Sequence, residues 1–227
     1  PRTVHRNKWF RKRYDREESV GQAESIEVPP ERRFLGFDAY KKAIDSGVDA
    51  VILATSPAFR PVHLAYAVSK NVHAFIEKPV AVDGPGVRMI LEASAEAKKK
   101  NVIVASGYQR YHNPAYQEAV KRIQDGSLGQ ISHLRTYFNH GATWHIVRKP
   151  EWSEMEYQMR NWQQFAWTSG DHTCDQQAHS FQVAYWILGK PPVSAVGMGG
   201  RQVHKGPNYG NVYDHFYTEF NYDDGIQ

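Results

Sequence analysis

Short apolar runs and helical periods alternate along the chain from Val48 onward. Val48-Asp49-Ala50-Val51-Ile52-Leu53-Ala54 is rich in β-branched residues and apolar through its second half, which predicts a buried strand. Arg60 to Lys70 follows as a helix, with Val62, Ala65, Tyr66 and Ser69 on one face. Val72 to Ile76 is the next strand. Gly84 to Lys100 is a second helix, opened by Pro85 and closed by Lys98-Lys99-Lys100, a charge order that suits the helix dipole. Val102 to Ala105 is a third strand, and Pro114 to Gln124 a third helix that stops at Asp125-Gly126. Strands that alternate with helices in this way predict a parallel α/β sheet.

Beyond residue 129 the alternation ends. Gln130 to His140 reads as a long strand, 141–171 as an irregular stretch dense in tryptophan, and Asp175 to Leu188 as one helix. Val193 to Val203 and Tyr213 to Tyr222 read as strands. Successive strands without intervening helices predict an α+β half with a mostly antiparallel, open sheet. The predicted boundary divides the chain into residues 1–127 and 128–227.

Composition narrows the function classes. The 227 residues are 41% hydrophobic and 13% aromatic, enough for a sizeable core, and no apolar run approaches the roughly 20 residues of a membrane helix. The single cysteine, Cys174, rules out an internal disulfide and fits a reducing compartment; a cytoplasmic protein is expected, with an exported periplasmic form as the alternative. The net charge of +4 comes from one place: residues 1–16 carry seven Lys/Arg against one acid, and without them the chain totals of 28 bases and 24 acids fall to 21 and 23. A solvated basic helix accounts for that run better than a nucleic-acid arm. His172, His204 and His215 lack metal-ligand spacing, so no metal is expected. The chain opens on Pro1 and closes on Asp223-Asp224-Gly225-Ile226-Gln227, a turn after a strand. The reading therefore expects truncation at both ends, with Val48–Ala54 or a neighbouring strand left at an open sheet edge.

Two short motifs carry chemistry. Glu77-Lys78-Pro79 stands directly after a strand, where ligands of open α/β sheets sit. An ammonium there can point into the crevice; the alternative is an exposed loop lysine. Asp175 and His179, four residues apart on the predicted helix, share a face that borders the core stripe Cys174, Ala178, Phe181, Tyr185 and Leu188. They form either a base with its orienting carboxylate or a solvated helix pair. Trp144, Trp152, Trp162 and Trp167 either stack on a sugar ring or anchor the long loop.

These motifs come in a specific order. Gly47 through Pro57 with its Thr55-Ser56-Pro57 turn, then His63, Glu77-Lys78-Pro79, Gly107-Tyr108-Gln109-Arg110, Asp125-Gly126-x-Leu128-Gly129 and Asp175-x-x-x-His179 together resemble the glucose–fructose oxidoreductase / inositol dehydrogenase / MocA family over about residues 33–227. The resemblance implies a Rossmann-type domain lacking its first strands over 1–127, and a substrate-binding and oligomerisation domain over 128–227. It implies NAD or NADP as cofactor, a carbohydrate or cyclitol substrate, a homodimer or homotetramer, and no membrane or nucleic-acid partner. By the same resemblance Lys78, Asp175 and His179 are catalytic, while Thr55, Ser56, Pro57, His63, Glu77, Lys78 and Gln109 line the cofactor. The implied reaction moves a hydride between a nicotinamide and a hydroxyl-bearing carbon. The alternatives are a nicotinamide-dependent glycoside hydrolase of the same family and a non-catalytic binding module.

The chain also departs from that family. Its Gly-x-Gly-x-x-Gly turn and the acid ending its second strand are absent, which leaves NAD and NADP undistinguished. Gly197-Met198-Gly199-Gly200 opens no predicted helix and reads as close backbone approach in a sheet. Only Ser169-Gly170 stands where the family often has several glycines.

Overall fold

A computed structural model describes residues 28–141 and 144–227; the basic run at 1–16 lies outside the described residues. The chain divides into two compact units, one ending at Gly47 and the other running from Val48 to Gln227. In the first, helix α1 (Ala39–Asp45) carries one buried residue, Ile44, and the Arg32 guanidinium donates to the Ser46 carbonyl at 3.4 Å.

The second unit opens with the βαβ grammar. Strands β1 (Ala50–Leu53), β2 (His73–Ile76) and β3 (Val104–Ser106) form a parallel sheet in the order β1-β2-β3, with Leu53 opposite Ile76 and Ile76 opposite Ser106. Helices α2 (Arg60–Ser69) and α3 (Gly84–Lys99) cross over between them. Both helices end the same way. Asn71 (φ 60°) and Asn101 (φ 56°) take the left-handed conformation, and the next amides, of Val72 and Val102, bond back to Ala67 and Ala97 at 2.9 Å. This is the Schellman closure, in which asparagine tolerates the positive φ and the following valine turns inward. Each strand therefore starts at a fixed distance from the helix before it.

The core lies on one side of the sheet. Leu53, Ala74 and Ile76 pack with Leu64 and Val68 of α2, Ala93 and Ala97 of α3, and Val102. The buried face of α2 runs through Leu64, Ala67 and Val68, while Val62 of the expected face is exposed. Both stripes have helical period, and the sheet selects the more apolar one. On the opposite side of the sheet Ile52 is 76% and Phe75 40% exposed, and β1 stands at one end of the described strand order.

Helix α4 (Pro114–Gln124) is capped by the Asn113 carboxamide and followed by Gly126 at φ 89°. Gln130–His140, expected as a strand, belongs to no sheet among the described residues. Among the described residues its backbone–backbone bonds are Leu134 N–H to Gln227 and Gln227 N–H to Ser132, too few for a ladder, and the Phe138 backbone bonds the His172 side chain. Short helices α5 (Glu154–Arg160), α6 (Ala166–Ser169) and α7 (Asp171–Asp175) occupy the tryptophan-rich stretch, and α8 (Ala178–Leu188) follows. The antiparallel pair β4 (Ser194–Gly200) and β5 (His215–Asn221) completes the unit. A Cβ on Gly199 would lie 2.8 Å from the His215 carbonyl, so the glycines of β4 do permit close backbone approach.

Candidate active site

The register of the parallel sheet brings three strand ends side by side. Past the last pairs, Glu77 N–H still donates to the Leu53 carbonyl at 3.1 Å and Gly107 N–H to the Ile76 carbonyl at 3.0 Å. The segments that follow, 54–57, 77–79 and 107–109, emerge together at the carboxyl edge, where open α/β sheets hold ligands. The bare backbone of Gly107 leaves room for the Glu77 carboxylate, both of whose oxygens would lie 2.9 Å from a Cβ there.

A residue to which the sequence pattern gives no role at the site fastens this edge. Arg60, buried at the start of α2, donates to the carbonyls of Thr55 (2.7 Å), Glu77 (2.9 Å) and Pro79 (2.6 Å). Burial lowers its pKa, opposed by the charges of Glu77 and Asp175. An arginine in the first turn of a helix opposes the helix dipole. That misplacement was the available signal, since a cation there needs acceptors from elsewhere.

Lys78 leaves the edge and reaches across to the second half. Its ammonium donates to the Asp175 carbonyl at 2.7 Å and lies 3.4 Å from Asp175 Oδ1, with its side chain 16% exposed. The predicted single helix over Asp175–Leu188 does not form. Asp175 ends α7, a turn at Gln176-Gln177 intervenes, and His179 is the second residue of α8. The bonding at the break is redirected. In a continuous helix the His179 N–H would donate to the Asp175 carbonyl, but Lys78 takes that carbonyl, and His179 N–H turns to Gln176 at 3.4 Å. A cation on the last carbonyl of α7 also complements the negative end of that helix.

The break changes which residues are buried. Asp175 and His179 are 5% and 7% exposed, whereas Tyr185 of the expected core stripe is 56% exposed. The two residues do not form a bonded pair. The Asp175 carboxylate accepts from Lys78, from Gln163 Nε2 at 3.3 Å and from Gln176 Nε2 at 2.8 Å. His179 Nδ1 is buried with no hydrogen-bond partner, and the ring meets Tyr108 edge to face at 6.2 Å between centroids. Burial lowers the His179 pKa, helped by the positive charges of Lys78 and Arg110 and opposed by Asp175 and Glu77. The ring is therefore neutral at pH 7 and able to accept a proton.

The remaining predicted residues gather at the strand-end edge. Thr55 Oγ1 lies 3.2 Å from His63 Nδ1, and burial lowers the His63 pKa. Ser56 Oγ donates to the Thr168 carbonyl at 3.4 Å, Pro57 is fully buried, and Gln109 is exposed in the 3-10 turn after β3. These hydroxyls, the imidazole and the Glu77 carboxylate suit a ring and its ribose. They do not suit a pyrophosphate. The amino end of α3, Gly84-Pro85-Gly86, is already capped by the Asp83 carboxylate on Gly86 N–H at 2.7 Å, and α2 opens on Arg60-Pro61. Among the described residues no glycine-rich helix start is left free for phosphate.

Gly170 (φ 74°) and Asp171 (φ 66°) together swing the chain into α7, and a Cβ on Gly170 would lie 2.6 Å from the Cys174 Cβ. The tryptophans tie the loop together: Trp144 meets Trp162 edge to face, and Trp152 lies beneath Lys149 and Arg160. Burial pushes the Cys174 thiol up to about 11, so it stays protonated. Among the described residues no group of three or more His, Cys, Asp or Glu could hold a metal, and no helix is long and apolar enough to cross a membrane.

Comparison with known proteins covers both halves. Residues 10–108 match the family described as an oxidoreductase family with an NAD-binding Rossmann fold, and residues 116–227 match the GFO/IDH/MocA C-terminal domain. Among curated relatives, scyllo-inositol 2-dehydrogenase (NAD(+)) of Bacillus subtilis is 27% identical over 83% of this chain and 49% of its own length. The 2,7-anhydro-N-acetylneuraminate hydratase of Escherichia coli is 25% identical over 78% and 44%. Among solved structures, myo-inositol 2-dehydrogenase from Lactobacillus plantarum superposes with a TM-score of 0.62 at 24% identity, covering 82% of this chain and 51% of that one. The chain thus spans about half the length of the curated relatives it matches.

Proposed function

Because the chain belongs to the GFO/IDH/MocA family of oxidoreductases, we propose that the protein containing it oxidises a hydroxyl-bearing carbon of a sugar or cyclitol with NAD or NADP. The observation that carries this reading is the reach of Lys78 from the strand-end edge onto Asp175, beside a buried, neutral His179. We assign residues up to 127 to the cofactor and residues from 128 to the substrate and to assembly as a homodimer or homotetramer.

A nicotinamide dinucleotide, when bound, supplies the two-electron acceptor. Thr55, Ser56, Pro57, His63, Glu77 and Gln109 would hold its nicotinamide end, and its phosphates call for groups beyond the described residues. An ammonium has three N–H donors. Lys78 directs two at Asp175 and keeps the third for the substrate oxygen, where negative charge develops as the proton leaves. His179 accepts that proton. Asp175, held by Lys78 on one side and by Gln163 and Gln176 on the other, fixes the lysine and a hydroxyl of the substrate.

The test is an assay of the full-length protein with NAD or NADP and a panel of neutral polyols, following reduced-cofactor absorbance. Accumulation of reduced cofactor supports the dehydrogenase. Product formed without accumulation assigns transient redox chemistry, as in a nicotinamide-dependent glycoside hydrolase. Failure to bind either dinucleotide leaves a non-catalytic module. The relatives bear names from more than one reaction class, so the assay must read net oxidation.

A further inference from the structure

Asp175 has a second side. Away from Lys78 it borders a cavity of about 300 Å³, near the lower end of the roughly 300–1,000 Å³ that small-molecule sites occupy. Gln163, Asp171, His172, Tyr213 and Asp214 line it with Asp175, and no lysine or arginine stands among its described lining residues. Neither Lys78 nor His179 lines it, so this space lies beside the reacting groups.

Gln163 sits in a turn whose neighbours are fully used by the fold. Asn161 accepts from Ile146 N–H at 2.9 Å and donates to the Tyr157 hydroxyl and the Asn208 carbonyl. Gln164 donates to the Trp144 carbonyl at 3.1 Å. Both are buried. Between them Gln163 spends one half of its amide on Asp175 Oδ2 and leaves the other half, Oε1, buried without a partner. The carboxylate fixes the orientation of the amide, because only the NH₂ group can face it. A buried acceptor without a donor calls for one from outside the chain.

We propose that Gln163 is a substrate-binding residue, and that its cavity takes the non-reacting hydroxyls of an uncharged polyol. A substrate hydroxyl donates to Gln163 Oε1, and the bond from Gln163 Nε2 ties that recognition to the Asp175 carboxylate. Charge favours this class over anionic ones. The Asp171 carboxylate is held by the N–H groups of His172 and Tyr213, and Asp214 by those of residues 202–204. With Asp175 they give three carboxylates around the cavity, beside four imidazoles (His140, His172, His204 and His215, the last 2.8 Å from Asp214 Oδ1) and no lysine or arginine, so a sugar acid or a sugar phosphate meets carboxylates with no ammonium or guanidinium to hold it. The proposal rests on the redox reading above only for naming this ligand the substrate.

The experiment uses the full-length protein with its cofactor. Calorimetric binding and steady-state rates are measured for a neutral cyclitol or sugar, the matching uronic acid and the matching phosphate monoester, in wild type and in Gln163→Met, which keeps the side-chain volume. Wild type is expected to bind the neutral ligand at least about 30-fold more tightly than either anion. Gln163→Met is expected to weaken the neutral ligand about 10-fold in Kd and KM, with kcat changed less, cofactor Kd unchanged and the thermal midpoint not lowered. Unchanged polyol binding in Gln163→Met, or an anion bound as tightly as the neutral ligand, overturns the proposal. Polyol binding that responds as expected, but with no reduced cofactor formed, sinks the redox reading and leaves the pocket standing.

Discussion

Two regions supply the candidate site, and they hold their side chains in place by different means. The strand-end edge, residues 48–107, is positioned by repetition: parallel ladders, two equivalent helix closures at Asn71 and Asn101, and one buried core. The segment from Trp144 to Asp175 has no ladder. Its backbone is held by side chains, with amides of Asn161 and Gln164, the hydroxyl of Thr168 and the carboxylate of Asp171 each bonded to main-chain groups. A ladder fixes many residues at once and tolerates the loss of any one side chain. A backbone held by single side chains fails where one is removed. Lys78 joins the two regimes, because it starts on the ladder and ends on the Asp175 carbonyl.

The largest test of that junction is Lys78→Met in the full-length protein. Turnover is expected to fall roughly 10²–10³-fold, the usual cost of removing a donor to a developing oxyanion, while cofactor affinity stays within a few-fold. Turnover at the wild-type level with cofactor binding lost would move Lys78 into the cofactor site and separate the two regions. Next in size is stability at the edge. Arg60→Leu leaves three carbonyls without their donor and is expected to cost about 3 kcal/mol in chemical denaturation. A loss below about 1 kcal/mol would mean that the ladder holds the edge alone. In the other region Gly170→Ala combines a left-handed φ with a clash on Cys174 and is expected to cost about 2 kcal/mol. A neutral result there would remove the claim that this segment depends on single residues.

The same contrast separates what the sequence discloses from what it conceals. Val51, Ile52 and Leu53, then Ala74, Phe75 and Ile76, announce their strands by composition. Their ends place Thr55, Glu77 and Lys78 together because parallel pairing fixes relative height. Nothing local announces the break at Gln176-Gln177. Glutamine is an ordinary helix former, and the group that meets the Asp175 carbonyl at the break is Lys78, 97 residues away. Asp175 and His179 are buried more deeply than the expected stripe, of which Cys174, Ala178, Phe181 and Leu188 are half-buried and Tyr185 is exposed. Arg60 and Gln163 were missed for a related reason: their work is done against main-chain carbonyls and a carboxylate that no periodicity records. The strand expected at 130–140 joins no sheet among the described residues, and hydropathy alternation does not report partners.

The smallest effect is also the sharpest, because it reads the coupling between the regions directly. Protonation removes the base, so turnover should fall about tenfold per pH unit below the His179 pKa. That pKa lies below the ordinary 6.5 because of burial first, then the charges of Lys78 and Arg110, against Asp175 and Glu77. Wild-type activity should therefore persist as pH drops through 6.5 and decline only in more acid solution. Stability follows the same sign. The unfolded chain binds the proton more readily than the folded one, so the contribution of neutral His179 is present above about 6.5 and is lost as pH falls through the folded value. In Lys78→Met a positive neighbour disappears, and the midpoint of the residual rate should move toward higher pH. A pH–rate profile of both proteins measures the difference. If the midpoint stayed in place, or moved to lower pH, the ammonium seen on Asp175 would not be sensed at the His179 ring, and the two regions would meet at the site without acting on each other.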